Sequence, residues 1–138
     1  MPRKDAFHDV VRNALIKDGW TITHDPYTLE YNRETLYIDL GAEAPIGAEK
    51  AGRKIAVEIK SFLGKSGITD LYHALGQYIL YRTLLESSEP ERVLFLAMPT
   101  EAFDTLLNIV EGQTLIAKEA LKLVLYAVEI EEVERWIE

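Results

Sequence analysis

Residues 54–62, Lys-Ile-Ala-Val-Glu-Ile-Lys-Ser-Phe, constrain the fold of this chain more than any other stretch. In an extended backbone Ile55, Val57 and Ile59 fall on one side, and Ala56, Glu58, Lys60 and Phe62 on the other. The segment therefore reads as a strand with an apolar face and, opposite it, a carboxylate two residues before an ammonium. Charges inside such a strand are costly unless they are paired or metal-bound. Residues 36–40 repeat the device: Leu36, Ile38 and Leu40 share a face, and Tyr37 and Asp39 point the other way. Two strands thus each present a carboxylate away from their apolar side.

Around these strands the pattern predicts an α/β domain with a mixed central sheet flanked by helices. Residues 5–17 read as a helix with Phe7, Val10, Val11, Ala14 and Leu15 on one face, ended by Asp18-Gly19. Trp20 to Thr23 reads as a short strand and Asp25-Pro26 as a turn. Thr28 to Tyr31 and Leu36 to Leu40 read as strands joined at Asn32-Arg33. Thr69 caps a helix running to about Glu86, and Arg92 to Met98 is an apolar run of strand length before Pro99. Residues 101–110 read as a helix, Leu121 to Val128 as a buried strand, and Val133 to Ile137 as a helical turn. With no repeat or linker, residues 1–138 are expected to form one domain.

Composition excludes several chemistries. There is no cysteine, which removes disulfides, thiolate metal sites and cysteine nucleophiles. No apolar run is long enough to span a bilayer, and Met1 to Asp5 does not read as a leader, so a cytoplasmic protein is expected. Asp plus Glu number 23 against 15 Lys plus Arg, a net charge of -8. That balance suits a solvated surface better than a strong DNA-binding one. Local basic groups remain available: Arg3, Lys4, Arg12, Lys17, Arg53, Lys54 and Lys65.

Two carboxylates and a main-chain carbonyl suffice to hold Mg²⁺, with Mn²⁺ as a substitute. Such an ion neutralises a phosphodiester and lowers the pKa of a bound water, while a nearby ammonium orients that water or stabilises the developing charge. The bland alternative is a cross-strand ion pair of Asp39 or Glu58 with Lys60 on a solvated face. If Asp39 and Glu58 share a site without metal, at least one should have a raised pKa. Gly64-Lys65-Ser66 fails as a phosphate loop, because Ile59 stands where that pattern needs glycine. His24 and His73 lack ligand-spaced partners, so zinc is not expected.

Asp39 followed by Glu58-Ile59-Lys60 resembles the D…(D/E)-x-K signature of the PD-(D/E)xK nucleases, which have a restriction endonuclease-like core. Gln77-x-x-x-Tyr81 is similar to the Q-x-x-x-Y element of the RecB-type members, and Ile38 departs from the proline of the superfamily name. The segments FHDVVRNALIKDGWTITHDP, LYIDLGAE, KIAVEIKSFLG and ALGQYILYR resemble the XisH family across nearly the whole chain. That resemblance implies an excision-controlling factor for the fdxN element of heterocyst differentiation. The expected partners are a site-specific recombinase, an XisI-like companion and DNA. The nuclease signature, rather than the XisH resemblance, implies a metal-dependent deoxyribonuclease site at Asp39, Glu58 and Lys60, with Gln77, Tyr81 and His8 as accessories. Lys65 and Arg12 are candidate DNA contacts. The alternative is a catalytically silent nuclease-like adaptor acting through protein contacts.

Several residues keep two readings. A hairpin turn at Ala51-Gly52 would set Glu43 opposite Lys60, whereas a loop-out at Pro45 and Gly47 would restore Asp39 beside Glu58; the second is favoured. His8 and Asp9 are either site residues or boundary residues of the first helix. Tyr72, Tyr78 and Tyr81 could stack on bases, although packing is expected for at least two. The acidic segment Glu129 to Glu138 is a solvated end or a docking edge. Weak DNA binding is expected for the isolated chain and stronger binding in a complex, with a homodimer left open.

Overall fold

The computed structural model describes residues 4–44 and 52–138. Arg3, Pro45, Gly47 and Ala51, which enter the expectations above, lie outside the described residues. Among those residues the fold is mixed α/β, with four helices and a six-stranded mixed sheet. The elements run α1 (His8–Lys17), β1 (Thr21–His24), β2 (Tyr27–Tyr31), β3 (Glu34–Ile38), β4 (Leu40–Glu43) and β5 (Lys54–Ile59). They continue with α2 (Gly67–Ser88), β6 (Arg92–Pro99), α3 (Thr100–Leu106), α4 (Val110–Glu119), β7 (Leu123–Ala127) and β8 (Glu132–Ile137).

The sheet order is β1-β4-β5-β6-β7-β8, with β5, β6 and β7 parallel and the outer pairs antiparallel. Parallel strands with helices on both faces are buried on both sides, and β5 and β6 accordingly alternate between two cores. Ile55, Val57, Ile59, Phe95 and Ala97 pack with Val11, Leu15 and Trp20 on the α1 side. Ala56, Leu94, Leu96 and Met98 pack with Leu71, Tyr78 and Leu85 on the α2 side. The hairpin β2–β3 is a separate two-stranded sheet turned through Asn32 and Arg33, whose φ values of 48° and 69° suit a two-residue hairpin turn. No helix among the described residues is long and apolar enough to cross a membrane.

Four local expectations are corrected. Residues 36–40 are not one strand: the chain breaks at Asp39, sending Ile38 into the α2-side core and Leu40 into the α1-side core. The long helix is capped by Ser66, whose hydroxyl accepts the Thr69 N–H at 3.2 Å, so Thr69 is inside the helix. The helix expected over residues 101–110 ends at Leu106, where the Leu107 and Asn108 N–H groups both close onto the Phe103 carbonyl, and a second helix follows. Val133 to Ile137 is an edge strand pairing antiparallel with β7. A register shift between Leu125 and Tyr126 gives Val133 and Trp136 the same side of the sheet. That bulge turns an alternating pattern into a spacing of three, which reads as helical in sequence.

Candidate functional site

Asp39 sits at the junction where the chain leaves the small hairpin sheet and joins the large one. The register Leu40↔Val57 and Glu43↔Lys54 carries Asp39 to a place beside Glu58. The two residues are laced through their backbones. Asp39 Oδ2 accepts the Ile59 N–H at 2.7 Å, and Glu58 Oε1 accepts the Asp39 N–H at 3.3 Å. Lys60 follows the last residue of β5 and is held by its N–H on the Ala97 carbonyl and by its own carbonyl under the Tyr126 hydroxyl. Its Nζ lies 3.6 Å from Glu58 Oε2. Glu43 is remote from this group: it lies opposite Lys54 and pairs with Arg92 at 3.5 Å.

A cavity of about 410 Å³ opens over these residues, walled by Gln77 and Tyr81 of α2, His8 of α1, and Asp25. His8, read above as a site or boundary residue, is only 4% exposed. Its Nε2 lies 2.7 Å from Asp25 Oδ1, and Arg12 donates to Asp25 Oδ2 at 2.8 Å. Arg12 is thereby committed to an ion pair, whereas Lys65 and Asp9 are exposed. Among the described residues, His8 Nδ1 and Gln77 Oε1 are buried polar atoms without a partner, and both residues line this cavity. A larger groove of about 690 Å³ lies between α3 and the β7–β8 turn. Its charged lining residues are all glutamates, so it lacks the mixed carboxylate and ammonium set that chemistry on a phosphate needs.

Burial raises the pKa of Asp39, against the pull of the Ile59 N–H. It raises that of Glu58 well above the ordinary carboxylate value, reinforced by the Asp39 charge and partly offset by Lys60. Desolvation therefore outweighs mutual repulsion as the main cause. The Tyr81 hydroxyl is pushed up to about 12 by burial and by the charges of Glu58 and Asp39, while Gln77 hydrogen-bonds to it. A site that resists holding two negative charges is one that gains from a cation.

The donor set fits Mg²⁺. Asp39 and Glu58 each spend one carboxylate oxygen on a backbone N–H, and Gln77 adds an unpartnered buried amide oxygen on the cavity wall. Few hard oxygen ligands with room for water is how proteins hold this ion. Among the described residues there is no group of three or more His, Cys, Asp or Glu that could hold a metal ion.

Two structural acids of the site escape a sequence reading. Asp25, inside what reads as a turn, orients His8. Asp5 accepts the Ser61 N–H at 3.0 Å and the Phe7 N–H at 2.8 Å, tying the start of α1 to the end of β5. The only hint in sequence is the i, i+4 spacing of His8 and Arg12, which lets one acid meet both.

Comparison with known proteins gives a consistent result. A family model described as XisH protein matches residues 1–134. An XisH family protein from Nostoc punctiforme is 42% identical, with a TM-score of 0.86, covering 97% of this chain and 100% of that one. An fdxN element excision controlling factor protein from Anabaena variabilis is 40% identical, with a TM-score of 0.86, covering 98% of this chain and 100% of that one. No curated protein matches.

Proposed function

The chain belongs to the XisH family, and we propose that it is an excision-controlling factor for DNA rearrangement of the fdxN type, built on a PD-(D/E)xK nuclease scaffold. In this reading the restriction endonuclease-like core carries a Mg²⁺-dependent phosphodiester site. The observation that carries it is the meeting of Asp39, Glu58 and Lys60 at one cavity, from a strand junction and a strand end that the β4–β5 register brings together.

Asp39 and Glu58 would hold the ion, with Gln77 contributing its amide oxygen. The ion supplies charge neutralisation of the phosphodiester and an acidified water. Lys60, fixed at its backbone by Ala97 and Tyr126, offers its ammonium to the attacking water or to the charge that develops on phosphorus. His8 and Tyr81 wall the cavity. DNA, an XisI-like companion and the recombinase are the proposed partners, the companion supplying positive charge that a chain of net charge -8 lacks.

The second reading is a silent adaptor on the same scaffold. It is favoured by the backbone hydrogen bonds of both carboxylates, which give them a structural task without metal. Incubation with supercoiled plasmid and Mg²⁺ or Mn²⁺, alone and with the companion, separates the two. The nuclease reading expects nicking that falls about 10²–10³-fold in Lys60→Ala. No nicking under any of these conditions leaves the adaptor, and metal-independent nicking would contradict both readings.

A further inference from the structure

Helix α2 carries large apolar side chains on both of its faces, and the described residues cover only one. Leu71, Ala74, Tyr78, Tyr81 and Leu85 are buried against the sheet and hairpin. On the opposite side Ile68 is 49% exposed, Tyr72 65% and Ile79 39%. None of the exposed positions between 68 and 83 is Asp, Glu, Lys or Arg, in a chain whose charged content is 28%. A helix that is hydrophobic all round is normally buried all round.

Gly76 lies in the middle of this stripe. A β-carbon there would meet no described residue within 4 Å, so none of the described residues requires glycine at this position. Glycine weakens a helix interior relative to alanine, and its use is close approach of another backbone.

We propose that this face is the contact between two copies of the chain, packed as antiparallel α2 helices crossing between Leu75 and Gly76. A twofold axis there makes the surface self-complementary, as an isologous contact must be. Tyr72 falls opposite Ile79, and Ile68 opposite Thr83. Lys65, just ahead of the helix, falls opposite Glu86 near its end, so the two rims carry opposite charges. Neither Lys65 nor Glu86 has an ion-pair partner among the described residues. Other apolar helices could cover the stripe, but the match of this charge pair to its own twofold image selects a second copy. Gln77 and Tyr81 face the cavity from the same helix, so the pairing sets two sites on the outer flanks of one helix pair. The inference does not depend on whether those sites cut DNA.

Sedimentation of the full chain, up to ~100 μM, tests the contact. A dimer is expected. Tyr72→Asp should raise its dissociation constant at least ~tenfold while leaving the circular dichroism spectrum unchanged. Lys65→Glu should weaken it, and Lys65→Glu with Glu86→Lys should restore it. A chain that stays monomeric throughout overturns the proposal. So does a dimer indifferent to Tyr72→Asp, or a double swap no tighter than the single one.

Discussion

Replacing Arg92 by Met removes the buried cation that ties together the strands bearing the site. Arg92 opens β6 and is 5% exposed. Its Nη1 donates to the Ile55 carbonyl of β5 at 2.8 Å and, at 3.5 Å, to the Ala42 carbonyl of β4. Its Nε donates to Glu89 at 2.6 Å, and its guanidinium lies 4.8 Å from the Tyr27 ring of β2. Met retains much of the stem packing and loses only the charge and its donors. The hydrogen bond to Arg92 is the main reason the Glu89 pKa drops from 4.5 to about 2. At about 1.4 kcal/mol per unit the full displacement is worth about 3 kcal/mol. Glu89 keeps 22% side-chain exposure, and solvent screening cuts the stabilisation to about 1–2 kcal/mol. Loss of the charged donor to the Ile55 carbonyl adds about 1–2 kcal/mol. Urea unfolding at neutral pH should therefore show a loss of about 2–4 kcal/mol. The pH dependence supplies a second check. A depressed folded value contributes stability that is complete above 4.5 and disappears as pH falls through about 2. The variant should lack much of that acid limb. A loss under about 1 kcal/mol, or an unchanged acid limb, would show that Arg92 does not tie these strands together.

Glu58→Gln acts in the opposite sense. A carboxylate raised in the folded state costs stability as pH climbs from its unfolded value of 4.5 toward its folded one. Metal-free melts should show the wild type declining over that interval and the variant declining less; parallel profiles would count against the buried pair. Gly112→Ala would place a β-carbon 2.1 Å from the Leu107 carbonyl oxygen, where α4 starts beside the end of α3. It should cost about 3 kcal/mol or more by thermal unfolding, and a neutral substitution would show that the α3–α4 connection is wrongly understood.

The sequence made the site legible wherever strict alternation applied. In β5 the faces follow the residue parity, so Glu58 separates from Ile55, Val57 and Ile59 as the period of two requires. Alternation failed at Asp39, because the chain changes sheets there and Leu40 crosses to the other core. It failed again in β8, where a bulge gave strand residues a helical spacing. His8 was ambiguous because its partner Asp25 is seventeen residues away, in a segment whose local signal is only a turn. Just past the end of α3, the Leu107 backbone approaches Gly112 of α4 closely, and composition does not announce this. The family resemblance was carried by long segments, and the match over residues 1–134 agrees with it.

Mn²⁺ titration followed by calorimetry or electron paramagnetic resonance tests whether Asp39 and Glu58 form one cation site. One saturable site is expected in the wild type at neutral pH, tightening as pH rises because proton and cation compete for the raised carboxylate pair. Asp39→Asn and Glu58→Gln should each abolish it, while Glu43→Gln, remote from the pair, should leave it intact. No saturable binding in the wild type, or equal binding by Asp39→Asn, would show that the two carboxylates do not form a cation site.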